Sequence, residues 1–358
     1  MVSLMAAGCG GEHHGSKTRS DPAVLRARAD VERPLSPRAY RGPVNGPSAK
    51  GGGVVVFVAA DLSNGGIAGV GRGVQQAARA IGWRFRILDG GATAAGERRA
   101  LRVALRFEPT GIILGGFDAT EQRPAMRDAR ARGIPVVGWH ASMRPGPDRK
   151  AGLFTNVTTD PAIVARLAAR DVIADSGGRA AAVIFTDSQY SIATYKADLM
   201  AAELKKCRGC RVLAVINTPI ATAEIRVPAI ITSLLQRFGG RFRYLLAING
   251  AYIAGARTAL RGVGRAADQP PFSVTAGDGD ASEFARIRAG DYQKATVAEP
   301  LYLQGWQLID ELNRARSGQP ASGYVAPPRL ITQQDVPSGG VFDPPSGYRE
   351  NYLRIWRG

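Results

Sequence analysis

The chain has 358 residues, of which 45% are hydrophobic and 22% charged, so it is long enough for two domains with real cores and too apolar for wholesale disorder. No apolar run approaches the ~18–20 residues that a membrane span needs. Its outlying number is a net charge of +17, but only seven of the 47 basic residues are lysines (17, 50, 150, 196, 205, 206 and 294), and the arginines are scattered singly or in pairs. Without a block of five like charges or a basic stripe interleaved with aromatics, the excess reads as an arginine-rich exterior, and nucleic acid is not an expected partner.

Residues 1–50 carry five prolines (Pro22, Pro34, Pro37, Pro43, Pro47) and little apolar periodicity, which predicts a disordered leader and linker. Near its start, Ala6-Ala7-Gly8 precedes Cys9. That run resembles a bacterial lipobox, in which the cysteine is lipidated, although Ala6 stands where Leu is usual and no basic or long apolar stretch precedes it. The expectation is a lipidated Cys9 with the true start codon upstream; the alternative is a stray cysteine in a tail. His13-His14 lie in the same leader.

From residue 51 onward, strand patterns fall at 53–59, 84–88, 111–114, 134–138, 181–185, 211–216, 243–248, 272–276 and 293–298. Helical patterns lie between them, at about 66–80, 95–106, 121–132, 160–174, 191–205, 223–237, 251–262, 280–288 and 301–316. Asp118 with Glu121 has capping-box spacing, Asp160-Pro161 marks a helix start, and Gly133 and Gly239-Gly240 mark helix ends. Short apolar strands alternating with helices predict parallel sheets covered on both faces, and nine strands divide better into two sheets than one. The expected fold is α/β, with two doubly wound parallel-sheet lobes and a long turn at 139–151.

Cys207-Arg208-Gly209-Cys210 follows a helix C-terminus, the wrong end for lowering a thiol pKa, and lacks the further ligands a zinc site requires. A structural disulfide between Cys207 and Cys210 is expected, in an oxidising compartment.

Ligands of open α/β sheets bind beyond the carboxyl ends of the strands, which directs attention to the residues there. The glycine-rich loop after the first strand misplaces the third glycine of a dinucleotide fingerprint (Gly69-x-Gly71-x-Gly73) and begins too late after the strand. Other strand ends offer Trp139-His140, Asp187 to Tyr190, Asn249, Asp278 and Glu299, an indole with amides and carboxylates suited to a polar small molecule. Asp118 reads as a helix cap, and His140 alone supports neither a hydrolytic triad nor a metal site. No catalytic residue, metal or cofactor is expected.

The most telling stretches are 133–140 (Gly-Ile-Pro-Val-Val-Gly-Trp-His), 246–250 (Leu-Ala-Ile-Asn-Gly), 274–280 (Val-Thr-Ala-Gly-Asp-Gly-Asp) and 295–301 (Ala-Thr-Val-Ala-Glu-Pro-Leu). With them, the region from about 53 to 318 resembles a type I periplasmic binding protein, the sugar-binding component of an ABC transporter. The resemblance implies that Asn249 and Asp278 face the ligand, with Glu299 where Gln is common and Trp139-His140 where Asp-Arg often grips a sugar. Asn64 matches the first polar contact, but Gly66-Ile67 replace the usual aromatic pair, and Tyr190, Thr194 or Lys196 occupies the place of an expected arginine. It further implies a three-segment hinge, a first lobe of 51–157 with 300–323, and a second of 158–299 with 324–358, including a final strand near 329–332. The function implied is that of a monomeric extracytoplasmic protein, periplasmic or on the cell envelope. It would capture a sugar-like or small polar molecule for an ABC permease or membrane sensor, and touch the membrane only through a lipid anchor. The alternatives are a ligand-responsive transcription regulator, for which residues 1–50 offer no headpiece, and a nucleotide-dependent enzyme.

Overall fold

The computed structural model describes residues 21–32 and 40–358, so Cys9 and the His13-His14 pair lie outside the described residues. A helix α1 (Pro22–Glu32) precedes the first lobe, which comprises β1 (Val54–Ala59), α2 (Gly65–Ala80), β2 (Arg84–Asp89), α3 (Ala94–Arg106), β3 (Gly111–Gly115), α4 (Arg123–Ala131), β4 (Val136–Trp139), β5 (Gly146–Asp148) and β6 (Leu153–Val157). The second lobe runs through α5 (Pro161–Asp175), β7 (Ala181–Thr186), α6 (Ser191–Lys205), β8 (Arg211–Asn217), α7 (Ala223–Phe238), β9 (Tyr244–Ala247), α8 (Ala251–Gly262), β10 (Phe272–Thr275), α9 (Ala281–Ala289) and β11 (Gln293–Ala298). The chain then returns to the first lobe as α10 (Leu301–Arg316), crosses again to β12 (Arg329–Thr332), and ends in α11 (Tyr348–Arg357). No described helix is long and apolar enough to cross a membrane.

Each lobe is a six-stranded sheet, in the orders β2-β1-β3-β4-β6-β5 and β12-β11-β10-β9-β7-β8. All pairings are parallel except those of the edge strands β5 with β6 and β12 with β11. The central strands are apolar on both faces, as in Val55 to Ala59 and Ala182 to Phe185, because helices cover both sides of each sheet. Asp160 caps α5 by accepting the Ala162 N–H at 2.8 Å, and Gly133 closes α4 with a φ of 65°. The glycines of α2 have a packing role: a Cβ on Gly73 would lie 2.7 Å from the Tyr302 carbonyl oxygen, which allows α2 and α10 to cross closely.

Three expectations need correction. Part of the 139–151 turn is strand β5, paired antiparallel to β6. The end of the chain does not stay with the second lobe after β12, because Tyr348, Tyr352, Ile355 and Trp356 of α11 lie in the first lobe's core. The Trp356 indole N–H donates to Asp310 of α10 at 2.9 Å, so the segment between β12 and α11 is a fourth crossing between lobes. Lastly, residues 1–50 are not disordered throughout. Asp21 accepts the Ala23 N–H at 2.8 Å and starts α1, whose Val24 and Ala27 are buried in the second lobe's core.

Asp30 of α1 pairs with Arg170 of α5, which also donates to Glu203 at 2.7 Å. Asp21 accepts the Arg208 N–H at 3.1 Å on the turn closed by the Cys207–Cys210 disulfide. Further along the chain, Ala49 N–H donates to Trp356 O and Arg314 to Asn45 O in the first lobe. Val24→Asp, which places a carboxylate in the α1–α5 contact, should cost about 1–3 kcal/mol and release α1. Faster amide exchange confined to 21–32 is the expected readout, and unchanged protection there would show that another contact holds the helix.

Candidate functional site

The carboxyl ends of both sheets face each other, and between them lies a cavity of about 60 Å³. From the first lobe it is lined by Asp61 and Asn64 after β1, Ile67 on α2, Gly116 after β3, and Trp139 and His140 at the end of β4. The second lobe contributes Tyr190, Ile192, Ala193 and Lys196 around α6, Ile220 and Ala221 after β8, Ile248 and Asn249 after β9, and Asp278 after β10. Six of the seven sequence-derived ligand candidates therefore converge. The seventh, Glu299, does not line the cavity.

The lobes touch directly at this end. A Cβ on Gly66 would lie 2.6 Å from Asp278 Cγ, and one on Gly65 would collide with Asp280, so only glycine lets the start of α2 approach the second lobe this closely. Asn64 accepts the Gly66 and Ile67 N–H groups at 3.0 and 3.3 Å and so caps α2. Asp118 makes no side-chain cap, contrary to expectation. Its carboxylate instead accepts the Ser191 N–H at 3.0 Å and the Ser191 hydroxyl at 2.9 Å, joining the lobes at the rim. Burial raises the Asp118 carboxyl, and these two bonds partly offset the rise.

Glu299 is fully buried at the end of β11, where the second crossing begins. It faces His140 Nε2 at 3.2 Å and Lys196 Nζ at 3.4 Å, and accepts from Gln304 Nε2 at 3.0 Å and the Thr159 N–H at 3.4 Å. One carboxylate thus ties β4, α6, α10 and the first crossing together. Burial alone would raise it, but the His140 and Lys196 charges, with the His140 and Gln304 hydrogen bonds, hold it well below the usual range. His140 stacks on Trp139 with ring centres 3.9 Å apart. Its φ of 52° is costly for a residue with a side chain and is held by these contacts. Trp139 Nε1 donates to Gln304 Oε1 at 2.9 Å.

Asp278 is raised, chiefly by burial, with Lys196 and His140 opposing and Glu299 and Asp280 adding to the rise. Asn249 donates to its Oδ2 at 2.6 Å. His140, Asp278 and Glu299 are grouped closely enough to hold a metal ion, within 4.8 Å of one another. The Lys196 ammonium already supplies a cation to that group, which is why two buried carboxylates coexist there.

Lys196 emerged from the sequence only as one of three occupants of a missing arginine's place. Asp61, Gln304, Ile192 and Ile220 carry no local signal, because strand ends far apart in sequence bring them together.

A family model described as a periplasmic binding protein domain matches residues 55–320. Among solved structures, the chain is similar to a solute-binding protein of an ABC transporter from Agrobacterium vitis, bound with alpha-D-tagatopyranose. That match has 14% identity and a TM-score of 0.71, covering 81% of this chain and 98% of that one. It is also similar to a sugar ABC transporter structure from Yersinia enterocolitica (18% identity, TM-score 0.72, 86% and 95% covered). A third is the arabinose ABC transporter binding protein of Shewanella sp. ANA-3, bound to arabinofuranose (15%, 0.69, 84% and 95%). At these identities the structural matches establish the fold alone. No curated protein matches the chain in sequence.

Proposed function

The chain belongs to the periplasmic binding protein family, and from that premise we propose that it captures a sugar or a similar polyol between its lobes for an ABC permease or a membrane sensor. It is a binding protein rather than an enzyme, and it works outside the cytoplasm as a monomer, with Cys9 as the residue that would carry a lipid anchor. The observation that carries the reading is the cavity between the carboxyl ends of two doubly wound sheets, where Asn249, Asp278, Asn64 and Tyr190 meet Trp139.

At about 60 Å³ the cavity is smaller than a monosaccharide needs, so ligand entry and retention require the lobes to part and close. Contacts made only in the closed form would shift the population toward it. Asp278 accepts from ligand hydroxyls, Asn249 orients that carboxylate, and Trp139 presents an apolar surface to a sugar ring.

A thermal-shift screen over sugars and polyols tests the proposal. A binding sugar should raise the melting temperature of the full chain, and Asp278→Ala and Trp139→Ala should each abolish that rise. A ligand whose shift persists in both variants would place its site elsewhere.

A further inference from the structure

The second lobe's wall of the cavity is divided by strand order. Over β9 and β10 stand Asn249 and Asp278 with Ile248; over the neighbouring β7 and β8 stand the apolar Ile192, Ala193, Ile220 and Ala221, together with Tyr190 and with Lys196, whose ammonium faces Glu299. The carboxylate nearest the end of β7 is turned away. Asp187 is buried, accepts the Gln189 N–H at 2.9 Å and the Ile220 N–H at 2.9 Å, and does not line the cavity. Asp187 therefore fixes the turn that presents Ile220.

The remaining polar lining is similarly one-sided. Lys196 and His140 face Glu299, while Asp278 Oδ1, Asn64 Nδ2 and Tyr190 Oη make no side-chain hydrogen bond among the described residues. Apart from the Tyr190 hydroxyl after β7, the donors and acceptors left for a ligand thus gather on the β9–β10 side and on the facing loop after β1. A hydroxyl set against Ile192 and Ile220 would exchange water for hydrocarbon, whereas a methyl group there gains buried apolar contact.

We infer that the ligand is two-faced: a deoxy sugar or similarly methyl-bearing polyol, with its hydroxyls along the Asn249–Asp278 edge and its apolar group against Ile192 and Ile220. This rests on the sugar-binding reading above and narrows its substrate class.

Matched pairs differing in one hydroxyl test the inference by calorimetric titration of the full chain: D-fucose against D-galactose, and L-rhamnose against L-mannose. The deoxy member of at least one pair should bind about tenfold tighter or more, and Ile220→Ser, a half-buried turn position, should shrink that ratio several-fold. Equal or tighter binding of the fully hydroxylated members, or a ratio that Ile220→Ser leaves unchanged, would overturn the two-faced ligand and leave the sugar reading standing. If no sugar or polyol in either set binds, the sugar reading itself fails and this inference with it.

Discussion

Glu299→Gln should lower the stability of the folded protein by about 3–5 kcal/mol, read as a drop in the urea midpoint at pH 7. The substitution keeps the shape of the side chain and removes its charge. Lys196, only 3% exposed, then loses its counter-ion at 3.4 Å, and an amide must face an ammonium and an imidazole. Lys196→Met should be costly for the mirror-image reason, since it leaves a buried carboxylate with less compensation. The double variant Glu299→Gln with Lys196→Met should cost clearly less than the sum of the two, because the coupling between charges is counted twice in the singles. Additive costs, or a single-variant loss below about 1 kcal/mol, would show that the four segments meeting at Glu299 are held by packing alone. Asp278 provides the contrast. Its carboxylate is raised and lines the cavity, so Asp278→Asn should cost ligand affinity more than stability.

That contrast also marks how far the sequence could be read. Alternating apolar strands and helices predict both sheets because burial on two faces leaves a continuous hydrophobic run, as in 54–59 and 181–186. The start signal of α1 was legible by the same logic as that of α5. Asp21-Pro22 repeats Asp160-Pro161, and Val24, Ala27 and Val31 fall at helical spacing. Proline content over the whole of 1–50 masked it, since composition averages over a segment while a helix needs only eleven residues. In α11 the spacing of Tyr348, Tyr352 and Ile355 is likewise helical, hidden behind the Pro/Gly-rich 337–347.

The site was legible by position and not by role. Strand ends are where doubly wound sheets bind ligands, which brought six of seven candidates to one cavity. Whether a strand-end side chain points at the ligand or at its neighbours depends on charges brought from elsewhere. Glu299 turns to Lys196, 103 residues away in sequence, and Asp118 turns to Ser191, 73 residues away. No local pattern encodes such pairs. The glycines of the 69–73 motif show the converse case: it suggests phosphate binding, but Gly69 and Gly73 are explained by the crossing of α2 and α10, where a Cβ would meet Leu301 and Tyr302.

From about pH 4.5 to 7 the folded protein should become less stable as the pH rises. Three carboxyls carry the effect. Burial pushes Asp171 up to about 7, with Asp175 adding to the rise and Lys294 opposing it. Burial also pushes Glu97 up to about 7, against the opposing charge of Arg98. Glu283 rises to about 7 through burial and the neighbouring Asp280. In this window the folded chain retains protons that the unfolded chain, with ordinary values of 3.8 and 4.5, has released. The folded state therefore binds more protons, and stability falls with pH by up to ~1.4 kcal/mol per unit for each such group. Glu299 has the opposite sign, and because its carboxyl is held well below 4.5, its contribution is already complete at the bottom of the window. The local chemistry around Glu97 fits protonation. Gln122 Oε1 is a buried acceptor with no donor among the described residues, and a protonated Glu97 could donate to it once the amide turns over. Melting temperatures at pH 5, 6, 7 and 8 should fall through the series in the wild-type chain. Asp171→Asn and Glu97→Gln, neutral at every pH, should each flatten the slope. A stability that rises from pH 5 to 7, or a slope indifferent to both substitutions, would mean that these carboxyls are ionised and solvated in the folded protein.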